Sequence, residues 1–150
     1  MKITEEWIKK NNVCMDGVEW FYNNKPFESD VDLIKKLHED DHFDWSIWFV
    51  IRLFNRKQNL MFSIFYAESV LPMFEKKYPD DDWPRKNIDG AKKVLKNYDM
   101  INKRDSYAVV ASASTYAAAA YAEACDAVDG NIKNKIIDYA IKLLKGEDND

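Results

Sequence analysis

ESVLPMFEKKYPDDDWPRKNIDGA, residues 68–91, is the stretch in which apolar pattern, helix breakers and opposed charges all change within a few positions. An apolar helix ends here, a turn bracketed by Pro79 and Pro84 follows, and a basic helix begins. Upstream, Leu60–Lys77 reads as a central helix with almost no polar face, the pattern of a helix buried on most sides. Glu68 interrupts it, with Pro72 four residues on. Proline has no N–H for the Glu68 carbonyl, so a kink is expected. A buried carboxylate needs a partner, and Arg52 and Arg85 are the natural ones. Downstream, Arg85–Asn97 is amphipathic, with Ile88, Ala91, Leu95 and Tyr98 on one face and Gly90 placed for a close helix contact.

Working outward, the N-terminal half reads as short helices. Thr4 caps Glu5–Lys10. Val13–Tyr22 follows, then a loop at Asn23–Pro26. Ser29 or Asp30 caps Val31–Glu39, and Asp44 caps Trp45–Phe54, which carries Arg52 inside an apolar run. Asn55–Asn59 reads as a polar turn. Trp45–Leu53 and Leu60–Tyr66 are aromatic enough to compete as strands, but neither alternates cleanly, so helix is preferred. Toward the C-terminus, Asp99–Asp105 is a charged loop and Ser106–Val128 an Ala-rich helix, with ten alanines between Ala108 and Ala127. Gly130 would end it. Ile132–Leu144 forms the last helix, and residues 146–150 should fray. With no linker, repeat or low-complexity tract, residues 1–150 read as one all-α domain, an orthogonal array or bundle of about seven helices.

Composition narrows the function classes. At 150 residues and 47% hydrophobic content the chain can bury a core without staples. Net charge is −4, so nucleic acid is a poor partner and a basic protein a compatible one. The charge is uneven. Glu28–Asp44 holds seven acids against Lys35 and Lys36, a local −5, and Glu75–Arg104 nine bases against six acids, a local +3. Cys14 and Cys125 fit no metal spacing and read as buried reduced thiols. No h-region and no apolar run of membrane-spanning length stands out, which reads as a cytoplasmic protein without membrane contact. The apolar helices could fill one core or support a homodimer equally well.

Chemistry-bearing candidates are few. His38-Glu39-Asp40-Asp41-His42 satisfies H-E-x-x-H, the pattern in which two histidines share a helical face around zinc. The helix is expected to end near Asp40, which would separate His38 from His42. A third ligand would have to be Glu68, so a zinc hydrolase is the weaker reading. No cofactor is expected: the four glycines form no phosphate loop, and no nucleophile stands in a recognisable setting. Asp80, Asp81, Asp82, Trp83, Arg85 and Lys86 read in two ways. As structure, an Asp caps the next helix, Pro84 opens it and Trp83 enters the core. As function, carboxylates beside an aromatic and a guanidinium form a partner-binding patch.

The stretch LPMFEKKYPDDDWPRKNIDGAKKVL, with its L-P-x-F-E start and its P-R-x-x-I-x-x-A end, resembles a segment of small bacterial immunity proteins, the immunity-protein-5-like group. ITEEWIKKNNVCMDGVEWF resembles their N-terminal segment, DWSIWFVIRL an acidic-Trp helix, and Ser106–Val128 their Ala-rich part. The resemblance implies an all-helical, non-enzymatic protein that binds and neutralises a toxin. It carries over Glu68, Pro72, Glu75, Pro79, Asp82, Pro84 and Arg85, and no catalytic residue; Trp83 lies outside the motif. A phage- or prophage-encoded helical inhibitor or accessory protein is the alternative.

Overall fold

The computed structural model describes residues 2–98 and 128–147. Among them it is all helical, with seven helices and no strand. They are α1 (Glu5–Lys10), α2 (Met15–Asn24), α3 (Asp30–Glu39), α4 (Phe43–Leu53), α5 (Arg56–Lys77), α6 (Trp83–Lys96) and α7 (Gly130–Lys145). The expected Ala-rich helix, apart from Val128, and Cys125 lie outside the described residues. The chain divides into two compact units, Met1–Leu53 and Phe54–Asp150.

The first unit holds α1–α4. Local caps start α1 and α3: Thr4 Oγ1 accepts from the Trp7 N–H at 3.2 Å, and Ser29 Oγ from the Asp32 N–H at 3.1 Å. The expected Asp44 cap is corrected: α4 already begins at Phe43, so Asp44 lies inside its first turn. Asp30, the other candidate cap of α3, has a different task. Its carboxylate accepts from the backbone N–H groups of Lys2 and Ile3 at 2.8–2.9 Å, which ties the incoming chain to the start of α3. Ile3 is thereby fully buried. Around it, Ile8, Phe21, Leu33, Ile34, Leu37, Phe43, Phe49, Val50 and Leu53 form the core. Trp7 stacks on Phe49 at 5.5 Å and meets Trp48 edge-on at 6.0 Å, docking α1 against α4.

The second unit is built on α5. Here the polar turn expected at Asn55–Asn59 is instead a helix start. Asn55 Oδ1 accepts from the Gln58 N–H at 3.0 Å and Gln58 Oε1 from the Asn55 N–H at 2.9 Å, a capping box. At 22 residues α5 is about 33 Å long. It buries Leu60, Phe62, Ser63, Ile64, Tyr66, Ala67, Val70 and Leu71, a spread too wide for one stripe, because α6 and α7 both pack on it. Gln58 Nε2 donates to the Leu143 carbonyl at 2.7 Å and Phe65 stacks on Tyr139 at 4.0 Å, so α5 and α7 run antiparallel. Glu75–Arg85 and Glu68–Lys92 pairs step in opposite directions along α5 and α6, which makes those two an antiparallel hairpin.

Two glycine expectations are corrected. Gly130 ends no described helix; it is the first residue of α7, capped by Asp129, whose Oδ1 accepts from the Ile132 N–H at 2.9 Å. Gly146 ends α7 instead, at φ 71°, the left-handed cap that glycine adopts without strain. Gly90 makes no close helix contact: a Cβ built there meets nothing within 4 Å.

Candidate protein-interaction surface

The corner between α5 and α6 is assembled from local rules. Tyr78 ends α5, and the Asp81 N–H donates to its carbonyl at 3.2 Å, closing a turn with Pro79 at the second position, where a fixed φ is favourable. Asp80 sits at the tip. The three aspartates then divide their duties. Asp81 Oδ1 accepts from the Trp83 N–H at 3.0 Å, so it tethers the first residue of α6. Asp82, although it stands at the N-cap position, makes no side-chain cap bond and pairs with Lys86 at 2.7 Å. Asp80 is exposed and has no hydrogen-bond or ion partner among the described residues. Pro84, with its ring fully buried, anchors the first turn of α6 against the unit.

That anchoring decides which way Trp83 points. The expectation that Trp83 enters the core is corrected: its neighbour Pro84 takes the inward position, and Trp83 remains 57% exposed. Tyr78, which the residue types alone did not single out, is 37% exposed on the same corner. Its ring lies 4.9 Å from Phe74, and Lys77 Nζ is 5.2 Å from its centroid. A shallow groove runs beside it, lined by Lys77, Tyr78, Pro79, Asp80 and Asp81. The signal for Tyr78 was its position, one residue past the end of α5 and directly before Pro79.

The expected buried ion pair is also corrected. Glu68 is exposed and pairs with Lys92 of α6. Arg85 grips Glu75, and Arg52 lies with its guanidinium 3.5 Å from the Trp48 ring centroid, donating from Nη1 to the Trp48 carbonyl at 3.1 Å. Partial burial holds the Arg52 guanidinium below its ordinary range. The physical reason is the face of α5: positions 67, 70 and 71 turn inward, which leaves 68 and 72 outward.

The histidine motif does not form a helical zinc site. After α3, Asp41 adopts φ 61°, the Asp41 N–H donates to the His38 carbonyl at 3.1 Å and the His42 N–H to the Leu37 carbonyl at 2.8 Å. This left-handed cap turns the chain by the time it reaches His42, so the two histidines share no helical face. His42 stacks on Trp45 at 4.2 Å, whereas His38 approaches Phe43 at 6.2 Å. Among the described residues no group of three or more His, Cys, Asp or Glu is arranged to hold a metal, and no helix is long and apolar enough to cross a membrane. Cys14 is exposed rather than buried, at the start of α2.

No protein-family model matches the chain, and neither curated proteins nor solved structures give a match.

Proposed function

We propose that this protein works by stoichiometric binding of a protein partner, as an immunity protein neutralising a toxin, and that the α5–α6 corner is the contact surface. The observation that carries the reading is the exposed Trp83, 57% accessible on a corner held by a turn, a buried proline and a two-pronged ion pair. A rigid, outward tryptophan loses little entropy on association, and tryptophan is among the residues most enriched at interface hot spots. Asp80 supplies a carboxylate with no internal duty, which favours a partner with Lys or Arg at the facing position. The resemblance of residues 71–95 to immunity proteins supports the same reading. In this scheme Arg85, committed to Glu75, and Lys86, committed to Asp82, frame the surface without reaching the partner.

The test is calorimetry with the product of the adjacent gene. A one-to-one complex is expected, weakened about 30-fold or more by Trp83→Ala and less by Asp80→Ala. Lys86→Ala should leave affinity within a few-fold. Absence of a complex with the unmodified protein would overturn the immunity reading. A complex indifferent to Trp83→Ala would overturn the choice of surface.

A further inference from the structure

A separate cluster in the first unit carries an inference of a different kind. His42 is held by its backbone on both sides. Its N–H donates to the Leu37 carbonyl at 2.8 Å, and its carbonyl accepts from the Ser46 N–H and the Ser46 hydroxyl, both at 3.0 Å. Ser46 is fully buried, so these bonds are sheltered from solvent. The His42 backbone is therefore fixed at the α3–α4 corner by bonds that do not involve the ring nitrogens. It lies nearly parallel to the Trp45 indole, 4.2 Å and 14° away, and perpendicular to Trp20, 6.1 Å and 85° away. Trp20 in turn donates from Nε1 to Asp40 Oδ2 at 2.9 Å, and Lys36 Nζ lies 2.5 Å from Asp40 Oδ1.

We propose that His42 makes the α3–α4 corner a proton-operated joint, in which protonation of the imidazole tightens α2 and α4 onto the end of α3. The physical basis is the change in what the same geometry is worth. A neutral ring over an indole makes an ordinary aromatic stack; an imidazolium at the same place is a cation over the face of the best cation–π acceptor. It also sits within Coulombic reach of the Asp40 carboxylate that holds Trp20. The charged surroundings are mixed. Asp40 and Lys36 come from α3, Asp41 from the turn, and Asp44 from the first turn of α4, while α2 presents Trp20 with Asp16 and Glu19 along the same helix. Of these, the Asp40 carboxylate is the one tied to the ring, through Trp20 and through its Coulombic interaction with His42.

The chain has two histidines, which makes the test clean. Tryptophan emission of the full chain is followed from about pH 8 to about pH 5, where histidine side chains ordinarily change charge. An imidazolium in contact with an indole quenches it, so a loss of emission with single-proton steepness is expected. The step should persist in His38→Gln, shrink by at least half in Trp45→Phe and vanish in His42→Gln, with circular dichroism confirming that each variant is folded. Amide exchange supplies the second readout. After correction for the intrinsic pH effect, the Ser46 amide should exchange several-fold more slowly at low pH in the unmodified protein and not in His42→Gln. A flat emission titration, a step that survives His42→Gln, or Ser46 exchange that does not slow would overturn the proposal.

Discussion

Arg85 holds Glu75 with two parallel hydrogen bonds, Nε to Oε1 and Nη2 to Oε2, each 2.8 Å long. The pair spans the α5–α6 corner and joins residues ten apart in sequence. A planar guanidinium meeting a carboxylate edge-on fixes direction as well as distance. It is also solvent-accessible, 58% for the Arg85 side chain and 34% for Glu75, so its contribution is screened. Arg85→Ala should cost about 0.5–1 kcal/mol in urea denaturation. Arg85→Lys should recover less than half of that, because an ammonium cannot make both bonds. A cost well above 2 kcal/mol would mean that the pair is far less screened than its exposure indicates.

The Asp30 carboxylate binds the backbone amides of Lys2 and Ile3. Hydrogen bonds to a charged group are worth about 1.5–3 kcal/mol, and here they also seat a fully buried Ile3. Asp30→Ala should lower unfolding free energy by about 1.5–3 kcal/mol and raise amide exchange at Ile3. Asp30→Asn, which keeps one acceptor, should fall between.

At Asp40 the hydrogen bond from Lys36, then that from the Trp20 indole, holds the carboxyl below its ordinary range; the charge on His42 adds a smaller part. A depressed carboxylate stabilises the fold above its unfolded-state value and loses that contribution as pH falls through the folded value. Asp40→Asn should therefore be less stable than the unmodified protein at neutral pH. The gap should close as the solution is acidified below about pH 4. Thermal melts at a series of pH values check it, and a gap that widens on acidification would contradict the assignment.

Gly90 lies in the interior of α6 with open space where a side chain would stand. Gly90→Ala should stabilise by about 0.5–1 kcal/mol through the lost freedom of the unfolded chain. Gly17 is the contrast: a Cβ there would come 2.9 Å from Val13 Cγ1 and 3.3 Å from Cys14 Sγ. Gly17→Ala should gain less than Gly90→Ala, or destabilise, in the same denaturation assay.

Trp83→Ala should leave stability within about 0.5 kcal/mol, as expected for an exposed position. A larger loss would show that the indole supports the corner itself, and binding data on the variant would then have to be read against its folding.

What the sequence determined by itself is what short-range physics controls. A capping side chain reaches only two or three residues along the chain, so Thr4 could be read directly and Ser29 as one of two adjacent candidates, as could the helical period of Ile88 and Ala91. The Asn55–Gln58 box was equally local and was hidden only by its polar composition. Tertiary structure alone decided the rest. Glu68 stands one helical step from Ala67, and only the packing of α6 and α7 on α5 says which of them faces out. Its pairing with Lys92, and that of Arg85 with Glu75, depends on the register of two antiparallel helices, which no local pattern encodes. The same holds for residues 68–91 as a whole: the turn and the start of α6 around Pro84 were legible, but the missing Asp82 cap bond and the outward Trp83 were not, the latter following from where the neighbouring Pro84 finds its buried contact.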